Sequence, residues 1–256
     1  MFFSKPMEYN SAKIFSIQHF VLLFLTITGI IIAIKYTNNK RSTILKKIRI
    51  VTVTIWILEI IKVIFNFKIG NGNNLNTYIP LYYCSILLYA GIFSSAGKGF
   101  IKRIGDVFLA TGGIVGGVLF LLLPTTSITM YPMFHFITLQ SFIYHGAMVY
   151  LGIIINKSNY ITLEKKDIIY YSSLLFVMCL IAYIVNMKFG SNLMFISRDF
   201  PGTPIGLIYK ITGKYFTIIA SLIQIFAPFY AVLGIKNIIQ KSISKEENEE
   251  IYQIAN

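Results

Sequence analysis

Cys84 stands in the stretch "YIPLYYCSILLYAGIF", residues 78–93, as one of only two cysteines in 256 residues. A thiol serves either as a small apolar filler or, once a neighbouring base removes its proton, as a nucleophile. The bases within reach lie in "YPMFHFITLQSFIYHGAMVYLGI". There His135, Thr138, Ser141 and His145 fall within about 120° of arc at 100° per residue. Two imidazoles and two hydroxyls on one helix face read either as hydrogen-bonded core or as the lining of a polar cavity. At 1.5 Å rise per residue, the offset from Cys84 along the helix direction is about 6–7 Å for His145 and about 8–9 Å for His135. Helix tilt absorbs either offset, so both remain candidates.

A second polar constellation lies in "IWILEIIKVIFNF". Glu59, Lys62 and Asn66 follow i, i+3, i+7 spacing and share one helix face. Glu59 and Lys62 are placed to pair. An ionisable group at bilayer depth costs about 2.5–3.5 kcal/mol on insertion, so the pair is either a structural ion pair inside a bundle or a site for a polar substrate or headgroup. Cys179, in "LLFVMCLIAYIV", has no polar neighbour on its own face and reads as core. Gly112/Gly116 and Gly113/Gly117, in "TGGIVGGVLF", are two overlapping small-xxx-small pairs that predict close helix packing.

The elements that must position these residues are membrane helices. The chain is 55% hydrophobic and 13% charged, with a mean hydropathy of +0.68; a soluble domain usually carries about 25% charged residues. Apolar runs of spanning length recur from Ser16 to Lys236 without the alternation of a barrel strand. The fold class expected is all-α, a polytopic transmembrane helical bundle. Its seven spans fall near 16–36, 48–67, 78–96, 104–123, 132–155, 168–188 and 216–236. Residues 1–15 form an N-terminal segment, 16–236 the bundle and 237–256 a charged tail, either a short solvated helix or disordered. The connections include the polar "GNGNNLNT" at 70–77, and the longest, 189–215, reads as a re-entrant or interfacial loop.

The net charge of +13 sits in loops. Grouped by alternate connections, Lys and Arg divide 15 against 7, with Lys62 left inside a span. By the positive-inside rule this places the N-terminus outside and the C-terminus in the cytoplasm of a multi-pass cell-membrane protein. The same distribution argues against nucleic acid as a partner. Two cysteines, each in an expected span, define neither a disulfide framework nor a zinc site. His19, His135 and His145 lack a carboxylate at recognisable ligand spacing, so no metal and no cofactor is expected.

The Cys84 and His145 segments resemble the YwaF-type bacterial integral membrane proteins and their animal relative, transmembrane protein 164. The resemblance rests on "PLYYCSILLY", with Cys84, and "SFIYHGAMVYLG", with His145, 61 residues apart, and on Asn186 followed by "RDFPGTPIGLIYK". It implies an acyltransferase that moves a fatty acyl chain between membrane lipids, with Cys84 as nucleophile and His145 as base. Glu59, Lys62, His135, Thr138, Ser141 and Asn186 are the candidates for holding substrate, a phospholipid or lysophospholipid in the bilayer. The alternatives are a small-solute or ion transporter built on the Glu59–Lys62 pair and a non-catalytic lipid-binding protein. The oligomeric state is not legible.

Overall fold

The protein is described by a computed structural model covering residues 1–69 and 75–254, with the backbone course alone at Leu75 and over 243–254. Part of the 70–77 connection and the last two residues of the tail therefore lie outside the described residues. Among the described residues every regular element is helical. The main helices are α1 (Ile17–Lys35), α2 (Arg41–Lys68), α3 (Ile86–Ala96), α4 (Gly99–Ala110), α5 (Gly112–Leu122), α6 (Phe136–Lys157), α7 (Ile168–Phe189), α8 (Pro204–Thr212) and α9 (Phe216–Ile254).

Among the described residues five stretches are long and apolar enough to cross a membrane: α1, α4 with α5, α6, the α7 stretch, and α8 with α9. The charged α2 and the short apolar α3 complete about seven spans. This is an all-α bundle of a multi-pass membrane protein. Its outer surface is apolar, with Phe24, Phe67, Ile184 and Ile218 all more than half exposed, as helices facing hydrocarbon require.

The buried axis is α6, which packs against α1, α2, α4 and α5, while α7 and α9 pair beside α4 and α5. Glycine sets the closest approaches. A Cβ on Gly117 would stand 2.8 Å from the His145 carbonyl oxygen and 3.1 Å from Met148 Cβ, and one on Gly146 would meet Thr26 of α1. The glycine pairs of α5 therefore act in helix packing, Gly113 and Gly117 toward α6 and Gly112 and Gly116 toward Tyr83. The α4–α5 span breaks at Thr111, whose backbone is non-helical at φ −125° and ψ −78°. The carbonyl freed there, on Ala110, accepts the Asn156 amide at 2.7 Å, which satisfies a backbone group that lipid cannot.

Hydrogen bonds sort the connections into the two ends that the loop grouping predicts. At one end Met7 bonds Met130, Phe2 bonds Phe136 and Leu81 bonds Met194. At the other, Arg41 reaches the Tyr160 carbonyl, Arg49 that of Ser95 and Arg103 that of Thr162. One expectation changes. Residues 78–85 are not helical: α3 begins at Ile86, so Cys84 lies in the turn feeding a helix rather than inside one. The 189–215 connection folds into a short 3-10 turn, Leu193–Phe195, and α8. The tail continues α9 as helix to Ile254.

Candidate active site around Cys84

The turn carrying Cys84 is pinned at successive residues. Tyr89 donates its hydroxyl to the Pro80 carbonyl at 3.2 Å, and the Met194 amide bonds the Leu81 carbonyl at 3.0 Å. The Tyr83 hydroxyl pairs with that of Tyr171 at 2.6 Å, and Tyr144 donates to the Cys84 carbonyl at 3.2 Å. Side chains or loops from α3, α7 and α6 thus fix one short segment. Ser85 is the N-cap of α3, which places the half-buried Cys84 just outside the N-terminal end of that helix.

The polar surroundings of the thiol are the Ser85 side chain and the Glu59–Lys62 pair, both within electrostatic range. Lys62 Nζ lies 2.7 Å from Glu59 Oε1, with the Glu59 side chain buried and that of Lys62 25% exposed. Lys62 also interacts with His145, so one ammonium bears on both the thiol and the imidazole. Asn66, further along α2, donates to the Thr77 carbonyl at 3.4 Å and ties the helix end to the strap that leads to Cys84.

The three histidines differ in what their ring nitrogens do. In His19, Nδ1 accepts the Phe15 N–H at 3.1 Å and Nε2 meets the Leu121 carbonyl at 2.9 Å. In His135, Nδ1 accepts the Ile137 N–H at 3.1 Å and Nε2 meets the Ser4 carbonyl at 3.1 Å. Both rings are occupied as structural links. His135 precedes the first residue of α6 and caps it, so it leaves the helical stripe expected of it. His145 Nδ1 bonds the Ser141 carbonyl at 2.7 Å, which requires that Nδ1 carry the proton. Nε2 then presents a lone pair, is buried, and has no hydrogen-bond partner among the described residues. The ring lies flat on Phe120, centroids 3.6 Å apart.

Of the remaining candidates, Thr138 is fully buried on the same helix, its hydroxyl without a partner among the described residues. Ser141 supplies its backbone oxygen to His145, and its hydroxyl sits 3.4 Å from Gln140 Oε1. Asn186 is engaged on every side: its amide donates to the Leu193 carbonyl at 3.0 Å and the Ser197 hydroxyl at 2.8 Å, and its oxygen accepts from the Ser191 hydroxyl and the Leu193 N–H, each at 2.7 Å. It holds the 191–197 loop, whose Met194 amide in turn bonds the Leu81 carbonyl. Cys179 is buried in the main core, with Ser221 of α9 beside it. Among the described residues no three His, Cys, Asp or Glu side chains converge as metal ligands do.

Sequence reasoning missed Tyr83, Tyr89, Tyr144 and Tyr171. Their signal was present as hydroxyls inside apolar runs, where a buried Tyr must find a partner.

A model of the TMEM164 family matches residues 14–234, which contain Cys84, His145, the Glu59–Lys62 pair and Asn186. The chain belongs to the TMEM164 family. No curated protein and no solved structure matches it. In this TMEM164-family chain the matched region takes in the bundle from the end of the N-terminal segment through most of the apolar part of α9.

Proposed function

We propose that this chain is a membrane lipid acyltransferase in which Cys84 is the nucleophile and His145 the base. The observation that carries the reading is the His145 ring, fixed by its Nδ1–H to the Ser141 carbonyl with an unpartnered Nε2. A residue so arranged is a base held in one tautomer and missing the proton donor it should meet. Family membership and the pinned Cys84 turn support the same assignment.

In the first half-reaction Cys84, which makes no direct hydrogen bond to His145 here, gives its proton to Nε2 through one water. The thiolate attacks the ester carbonyl carbon of a phospholipid. A C–S bond forms, the C–O bond breaks, and the departing glycerol oxygen takes the proton back from the imidazolium. In the second, a lysolipid hydroxyl gives its proton to His145 and attacks the thioester. A C–O bond forms, the C–S bond breaks, and the thiolate is regenerated and reprotonated. Lys62 stabilises the negative charge that passes through the thiolate, while Glu59 holds the ammonium in place. Thr138 and Ser141 are the candidate donors to the carbonyl oxygen, and His135 and Asn186 act by holding the surrounding segments.

The test is acyl exchange between a labelled phospholipid and an unlabelled lysophospholipid, using the purified full chain. Transfer should occur and should be lost in Cys84→Ser and His145→Ala with unchanged melting behaviour. Undiminished transfer by Cys84→Ala removes the nucleophile. The proposed setting is the cell membrane with the C-terminus cytoplasmic, which a C-terminal reporter active only outside the cell would contradict.

A further inference from the structure

At the end of the bundle opposite Cys84, the starts of α2, α4 and α7 and the 157–167 connection line an open polar pocket of about 540 Å³. Four cations line it, Arg41, Lys102, Arg103 and Lys166, against the carboxylates Asp106, Glu164 and Asp167. Each carboxylate already has its own partner. Arg103 grips both oxygens of Asp167, at 2.9 and 2.5 Å. Lys102 bonds Asp106 at 3.0 Å, and Lys166 bonds Glu164 at 2.8 Å.

Arg41 has no carboxylate among the described residues. Its Nη1 donates to the Tyr160 carbonyl at 2.7 Å, and its guanidinium lies 4.5 Å over the Tyr160 ring. Lys102 reaches the Tyr160 hydroxyl at 2.9 Å. A guanidinium fixed by one bond and an aromatic face, with further N–H groups beside a polar pocket, suits a phosphate oxygen pair.

The pocket lies at the ends of membrane-length helices, the level of lipid headgroups. Its rim carries an apolar side chain: Phe100, 53% exposed, packs at 5.1 Å on Tyr170, which lines the pocket. A soluble phosphate needs no such rim. A lipid needs both parts, a basic recess for the phosphate and a greasy wall for its chain.

We infer that this pocket binds the phosphate headgroup of an anionic phospholipid, with Arg41 as its principal anchor and Phe100 against an acyl chain. The site is separate from the proposed Cys84 chemistry. It also gives the lysine- and arginine-rich end a ligand in the adjacent leaflet.

The experiment uses the full chain in phosphatidylcholine nanodiscs with a trace of photoreactive phosphatidylglycerol. Labelling should map to the peptides around Arg41, Phe100–Lys102 and Tyr160–Tyr170. Unlabelled phosphatidylglycerol should compete and phosphatidylcholine should not. Arg41→Gln should weaken competition about tenfold, the loss of one charge-assisted contact, Arg41→Lys much less, and Cys84→Ala not at all. Competition by inorganic phosphate equal to that by the lipid would make this a soluble-anion site and overturn the lipid assignment. Equal competition by phosphatidylcholine, or no labelling of these three peptides, would overturn the pocket. The competition is read in the wild-type chain, so it decides the matter even where Arg41→Gln fails to fold.

Discussion

Tyr144 of α6 donates its phenolic hydrogen to the backbone oxygen of Cys84 at 3.2 Å. The residue next to the proposed base therefore holds the residue proposed as nucleophile, and α6 sets the position of both. Tyr144→Phe removes only this bond. It should cost about 1 kcal/mol of stability and reduce acyl transfer more than that loss of folded protein explains. Parallel activity and melting measurements test this; full activity in Tyr144→Phe would show that the Cys84 turn needs no such anchor.

The Glu59–Lys62 pair gives a second expectation. Glu59→Ala leaves the Lys62 ammonium without its partner in the bundle. The loss should reach about 3 kcal/mol, the low end for buried pairs, because a quarter of the Lys62 side chain stays exposed. Converting both residues to leucine should recover most of the stability but not the activity. Identical melting temperatures for the single and double variants in detergent would speak against a buried pair.

Much of the fold was legible because apolar runs of spanning length are an unambiguous signal, and the glycine pairs of α5 marked a packing face correctly. The Glu59–Lys62 pairing was legible because i, i+3 spacing fixes it locally. What hydropathy could not show is where helix ends within an apolar run. "YIPLYYCS" is as apolar as the helix that follows, so the turn at Cys84 was invisible. Nor could spacing show how a histidine uses its nitrogens. His135 and His145 share a face on paper, yet one caps α6 through its own backbone neighbour and the other keeps a free Nε2. That difference comes from tertiary contacts, with Ser4 in one case and Phe120 in the other.

Asn186 should behave as a positioning residue. Asn186→Ala abolishes four hydrogen bonds within the 191–197 loop and should destabilise the protein by about 2–3 kcal/mol. Hydrogen exchange at the Leu193 and Met194 amides should accelerate, since one loses its acceptor and the other its alignment with Leu81. Unchanged protection at both amides would mean that the loop is held by other contacts.

Gly117 offers a test of the α5–α6 approach. Its added Cβ in Gly117→Ala would meet the His145 carbonyl oxygen and Val149, so the helices must separate. Transfer activity should fall while the protein still assembles in the membrane. Gly234→Ala, in α9 with open space around it, is the matched control and should be silent in the same exchange assay.

The measurement that bears most directly on the central claim is the mass of the Cys84 peptide after incubation with phospholipid. The proposed mechanism requires an acyl thioester on Cys84, visible as the added mass of a fatty acyl chain and removed by hydroxylamine at neutral pH. The adduct should be lost in His145→Ala and absent from Cys179, which is buried in the core. Lipid remodelling that proceeds at full rate with Cys84 unmodified, or in a Cys84→Ala protein, would contradict the mechanism.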